Sequence, residues 1–120
     1  MADQNYADTC IFCKLSKGLV RADILFQDEA VLAFNDIHPQ APVHVLVIPR
    51  AHITALWEAD QSHAHLLGRM LLACNEAAEK MGVGESGYRV VINSGEAAGQ
   101  SVEHLHFHVL GGRLLQWPPG

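Results

Sequence analysis

Residues His104-Leu105-His106-Phe107-His108-Val109-Leu110 alternate imidazole and apolar side chains with a period of two. A β-strand sends successive side chains to opposite faces. The stretch 102–110 therefore predicts a strand with His104, His106 and His108 on one face and Leu105, Phe107 and Val109 on the other. The apolar face needs cover, whereas three imidazoles in a row have no packing use. Such a strand calls for a sheet with a helix on one side and a chemical site on the other.

The rest of the chain supplies both parts. Residues 59–81 predict one long helix, because Leu66, Leu67, Met70, Leu71, Cys74 and Ala78 recur at three- and four-residue spacing and Gly82 follows as a stop. Residues 22–27 and 31–36 predict a hairpin about a polar Asp28-Glu29. Residues 42–49 are rich in β-branched side chains and fenced by prolines, which predicts a strand, and 88–93 predicts another. Residues 9–17 predict a short helix ended by Gly18. The expected fold is α+β: a mainly antiparallel, meandering five-stranded sheet with one long helix and a short N-terminal helix. Neither repeat nor linker divides the 120 residues, which predicts one domain over 1–120, with a flexible N-terminus at 1–8 and a tail at 114–120.

Eight Lys+Arg against thirteen Asp+Glu leave a net charge of −5, with no basic stripe to follow a phosphate backbone. Polymeric nucleic acid is not an expected partner, although a few local donors could hold one nucleotide. No apolar run nears the ~20 residues that span a bilayer, so no membrane association is expected. Residues 1–8 lack the basic start and apolar run of a signal peptide, which predicts a cytoplasmic protein. Three cysteines are an odd count, and Cys10-Ile11-Phe12-Cys13 reads as a metal or redox element rather than a disulfide. Glycine-rich phosphate loops of the GxxxxGK or GxGxxG kind are absent.

The imidazole face leaves two chemistries open. One is metal binding, and the other is nucleophilic attack on phosphorus by a neutral imidazole whose neighbours hold the phosphate oxygens. A single ion held by His104, His106 and His108 fits poorly, since alternate residues of a strand lie about 6.5–7 Å apart.

Residues 99–113, Gly-Gln-Ser-Val-Glu-His-Leu-His-Phe-His-Val-Leu-Gly-Gly-Arg, resemble the signature of the histidine-triad superfamily. Residues 34–44 and 47–53 are similar to that family's nucleoside-binding hairpin and its sequel. Gln116-Trp117-Pro118-Pro119-Gly120 resembles the tail of its nucleotide-binding, phosphoramidase branch. The resemblance implies a purine nucleoside phosphoramidase that cleaves the P–N bond of AMP- or GMP-amines. It places the nucleophile at His106, phosphate contacts at His108 and His44, and a hydroxyl near the leaving group at Ser101. The same resemblance assigns Asp36 to the ribose, and Ile11, Phe12, Phe34, Ile37 and Leu46 to the purine. Asn93 would lie near phosphate or ribose. The amides of residues 99–102, including Gly99, Gln100 and Val102, would lie near a phosphate oxygen. Asn35 departs from the histidine common in relatives.

Some family members hold a structural Zn²⁺ with the residues matching Cys10, Cys13, His52 and His104, a Cys₂His₂ set. The family likeness also implies a homodimer that pairs its long helices and extends its sheet, with Trp117 reaching the partner's site. Cys74 fits the helix core, while His38, His63 and His65 are expected in solvent. Two alternatives remain at this point. One is a dinucleoside polyphosphate hydrolase, which shares the triad; the other is a zinc-stabilised nucleotide-binding or interaction module.

Overall fold

The computed structural model describes residues 6–120, so the N-terminal expectation at 1–8 lies largely outside the described residues. Five strands form one antiparallel sheet: β1 (Ile24–Gln27), β2 (Val31–Asn35), β3 (Val43–Pro49), β4 (Tyr88–Val91) and β5 (Phe107–Gly111). Helix α1 spans Ile11–Ser16 and α2 spans Ala64–Lys80. The α+β class holds, but the sheet is not a simple meander. Its order is β1-β2-β3-β5-β4, with the last strand inserted between β3 and β4.

β3 lies at the centre and every one of its residues is buried, as a run of β-branched side chains with cover on both faces should be. On one face Val43, Val45, Val47, Phe107, Val109 and Leu105 pack beneath α2. The helical stripe that meets them is Met70, Ala73, Cys74, Ala77 and Ala78. Small residues let the helix approach closely, and burial pushes the Cys74 thiol up to about 12. Leu71, expected in that stripe, is instead 48% exposed, as is its neighbour Leu72 at 59%. On the opposite face a smaller core joins Phe12 and Leu15 of α1 to Leu32, Phe34, Leu46 and Ile48. Arg50 fastens α1 to the β1–β2 hairpin by donating to the Ser16 carbonyl at 2.6 Å and the Asp28 carbonyl at 2.7 Å.

Three boundaries correct the sequence reading. The long helix begins at Ala64 rather than 59: a separate 3₁₀ turn, Gln61–His63, precedes it, and Asp60 caps that turn with a capping box. Its carboxylate accepts from the Ser62 N–H at 2.9 Å, while the His63 ring accepts from the Asp60 N–H at 3.0 Å, so His63 is a cap rather than a bystander. His38 and His65 are exposed as expected. β4 stops at Val91. β5 starts at Phe107 rather than 102, because Leu105 donates its N–H to the Ile53 carbonyl at 2.6 Å instead of joining the β3 ladder. His104 and His106 therefore precede the strand that carries His108.

Candidate active site and metal centre

β3 and β5 pair so that His44 stands opposite Leu110, and His108 opposite Leu46 and Val91, on the sheet face away from α2. The segment leading into β5 adds His106, whose ring lies 5.0 Å from that of His108 and edge-on to Phe12 at 5.3 Å. His44 and His106 are each only 5% exposed.

Hydrogen bonds to the backbone assign the ring protons. His106 Nδ1 donates to the His104 carbonyl at 2.7 Å, which leaves its Nε2 with a lone pair. His44 Nδ1 accepts from the Gln40 N–H at 3.0 Å, so its proton sits on Nε2 and is donated to His108 Nδ1 at 2.9 Å. The proton of His108 is thereby driven to Nε2, a buried atom with no hydrogen-bond partner among the described residues. Burial pushes His108 down to about 4, helped by its His106 and His44 neighbours and opposed by Asp36. Burial likewise lowers His44, against the pull of Asp36 Oδ2 at 3.4 Å. The two adjacent rings thus present opposite characters, a lone pair on His106 and an unsatisfied N–H on His108. Such a pair can attack an electrophile and hold its oxygen.

His104 faces elsewhere. Its Nε2 donates to the Pro49 carbonyl at 2.8 Å, so the Nδ1 lone pair points toward Cys10 Sγ at 3.3 Å, Cys13 Sγ at 3.6 Å and His52 Nδ1 at 3.2 Å. Cys13 Sγ lies 3.3 Å from His52 Nδ1, and all four donor atoms fall within 4.8 Å of one another. A tetrahedral zinc with ordinary Zn–N and Zn–S lengths has N···N edges of about 3.4 Å and N···S edges of about 3.6 Å. The observed separations match that shape, and burial pushes His104 down to about 4, the neutral form a ligand needs. The four residues fit zinc. The structure does not converge His104, His106 and His108 on one point.

Asp36, His44 and His108 form a second group within 4.8 Å. Proton placement argues against a cation there, since His44 Nε2 carries the proton that binds His108. A metal at that nitrogen would have to break the Gln40 bond or make an imidazolate.

The remaining expected residues are placed unevenly. Phe12, Phe34 and Leu46 line the small core beside the imidazoles, whereas Ile11 is 46% exposed and Ile37 is 82% exposed. Asp36 accepts from the His38 N–H at 2.8 Å and is otherwise turned to His44. Asn35 donates to Asp23 at 3.0 Å. The Gln100 side chain staples its own loop, donating to the Thr54 and Val102 carbonyls at 2.7 and 2.9 Å. The N–H groups of Gly99 and Gln100 are engaged by Glu96 and Gly95, leaving those of Ser101 and Val102 without a partner among the described residues. Asn93 is half-buried, two residues beyond the end of β4. A cavity of about 790 Å³ opens between the start of α1 and this loop, lined by Cys10, Ile11, His52, Gln100 and Ser101 among others. Trp117 is 80% exposed.

Sequence reasoning did not identify which backbone groups set the rings: the Gln40 N–H and the carbonyls of Pro49 and His104. No side chain signals them.

The HIT domain family matches residues 17–115. The chain is 51% identical over 114 residues to an uncharacterized HIT-like protein of Synechococcus elongatus, covering 95% of this chain and 99% of that one. It is 46% identical over 112 residues to a 14 kDa zinc-binding protein of Zea mays, covering 92% and 87%. The crystal structure of a HIT family hydrolase from Legionella pneumophila superposes with a TM-score of 0.92 at 43% identity, covering 93% of this chain and all of that one.

Proposed function

Since this chain belongs to the HIT domain family, we propose that it is a hydrolase of purine nucleoside phosphoramidates acting through a nucleotidyl-histidine intermediate. The observation that carries this reading is the pairing of ring characters: a lone pair on His106 Nε2 beside the buried Nε2–H of His108, which has no partner among the described residues. His106 attacks phosphorus, a P–N(His) bond forms and the P–N(amine) bond breaks. The amine takes the bonding electrons and a proton relayed by Ser101. Water then attacks the intermediate, releasing the nucleoside monophosphate and returning His106. His108, held by His44, donates to the phosphate oxygen as charge grows. Asp36 faces the ribose hydroxyls, and Phe12, Phe34, Leu46, Ile11 and Ile37 enclose the base. The Ser101 and Val102 amides, with Gly99, Gln100 and Asn93 shaping the loop, border the phosphate.

Cys10, Cys13, His52 and His104 hold zinc as a structural ion, in keeping with the zinc-binding relative from Zea mays. Four protein donors complete a tetrahedron and leave no position for substrate. The protein works as a cytoplasmic homodimer joined through α2 and the outer edge of β4. Exposed Leu71 and Leu72 and the unpaired β4 edge support that assembly, and Trp117 reaches the partner's site.

Purified protein incubated in parallel with an adenosine phosphoramidate and a dinucleoside polyphosphate tests the reading. We expect the phosphoramidate to be cleaved at least tenfold faster. Preference for the polyphosphate would assign the other hydrolase branch, and inertness toward both with retained AMP binding would make the protein a binding module.

A further inference from the structure

The backbone that carries His106 lies outside the sheet. β5 begins one residue later, so residues 104–106 have no ladder bonds to hold them. Three contacts fix the segment instead. The His104 ring is clamped between the Pro49 carbonyl and the Cys10/Cys13/His52 cluster. The Leu105 N–H binds the Ile53 carbonyl, one residue from His52. The His104 carbonyl in turn accepts the His106 Nδ1 proton at 2.7 Å, the bond that decides which way the His106 lone pair faces. A single residue thus offers its side chain to the metal centre and its main chain to the nucleophile.

We infer that the zinc cluster is a positioning device for His106: ligation at His104 Nδ1 holds the carbonyl that orients the nucleophile, so metal occupancy sets the rate of the chemical step. This rests on the phosphoramidase reading for its kinetic consequence but not for its structural one. Most of the proposed nucleoside contacts, Phe34, Asp36, Ile37 and Leu46, come from β2, β3 and the turn between them, which hold no donor of the metal cluster; only Ile11 and Phe12 lie between Cys10 and Cys13. Loss of the metal should therefore reach kcat far more than nucleotide affinity. Displacing a reacting group by about 1 Å can cost on the order of a hundredfold, so a fall in kcat of about tenfold or more is expected.

The experiment compares zinc-loaded protein, protein stripped by a chelator under reducing conditions, and stripped protein reloaded with zinc. Cys10→Ser serves as the milder variant, because a serine there preserves the cap that Cys10 gives the Cys13 N–H while removing a thiolate ligand. Metal content is measured by elemental analysis and folding by circular dichroism. Three readouts follow: the Nδ1–H resonance of His106 in ¹⁵N-histidine protein, kcat and KM for an adenosine phosphoramidate, and AMP affinity.

The expected result on stripping is loss or broadening of the His106 Nδ1–H resonance. With it, kcat falls about tenfold or more, KM and AMP affinity stay within about threefold, and zinc restores all of them. Cys10→Ser should fall between the loaded and stripped forms and respond to added zinc. An unchanged resonance and kcat in folded, metal-free protein would overturn the inference, as would an equal loss of AMP affinity, which marks general loosening. If loaded protein cleaves no phosphoramidate, the proposed reaction fails, while the resonance still decides whether the cluster orients His106.

Discussion

Replacing His108 by Asn should change how stability depends on pH, and the structure gives the size of the effect. Burial and the neighbouring rings of His106 and His44 push the His108 imidazole from the ordinary 6.5 down to about 4. Between these values the unfolded chain holds a proton that the folded chain refuses. Stability from this group is therefore complete above about pH 6.5 and is lost as pH falls toward 4. A gap of about 2.5 pH units corresponds to at most about 3.4 kcal/mol. The ring is half-buried and its charge would be partly screened, so we expect about 2 kcal/mol. Because His44 and His108 share a hydrogen bond, they titrate as a pair and the measured loss belongs to both. Urea unfolding of wild type and His108→Asn would be compared at intervals from pH 7.5 to 4.5. Both proteins keep the four cysteine and histidine donors, so acid release of zinc cancels in the difference. The wild-type advantage should shrink by about 2 kcal/mol across that interval. A difference constant to within about 0.5 kcal/mol would mean that His108 titrates alike folded and unfolded. The proton assignment at the site would then be wrong.

Zinc should be found at close to one ion per chain. Cys13→Ser should lose both the ion and thermal stability while keeping some phosphoramidase activity; near-zero zinc in protein purified without chelators would remove the metal centre. Deleting residues 115–120 should change the preference among leaving amines much more than AMP affinity, and the dimer should persist. Equal loss of kcat/KM for every amine would reduce the tail to a stabilising element, and a monomeric product would make it the dimer's fastening.

The parts of the fold most legible from the sequence were those whose side chains carry a period or a boundary. β3 was readable because prolines fence a β-branched run, and the apolar face of residues 105–109 does pack beneath α2. Period-two alternation, however, reports which way side chains point and not whether the backbone is paired. His104 and His106 keep the alternation while their backbone leaves the ladder, so the predicted strand ran five residues too early. Asp60 was readable in principle as an N-cap, but it caps the 3₁₀ turn Gln61–His63, and no capping side chain marks the start of α2 at Ala64. Leu71 was expected in the buried stripe but is exposed with Leu72, and Met70, Ala73, Cys74, Ala77 and Ala78 meet the sheet instead. Within the site, residue types pointed to the Cys-x-x-Cys pair and to the imidazoles, while His52 and His104 joined the cysteines only through the family resemblance. The tautomers were beyond the sequence, because the Gln40 amide and the carbonyls of Pro49 and His104 are common to all residues and acquire meaning only in three dimensions.

The central claim is that His106 Nε2 forms a bond to phosphorus. Rapid mixing of the enzyme with an adenosine phosphoramidate, acid or denaturant quench that preserves the P–N link, and peptide mass spectrometry test it directly. The account predicts an adduct of one AMP moiety on the peptide containing His106. It should form within the first turnover, decay as product appears, and be absent from His106→Asn, which should still bind AMP within a few-fold. Multiple turnovers with no adduct at any quench time, or an adduct that persists in His106→Asn, would contradict it.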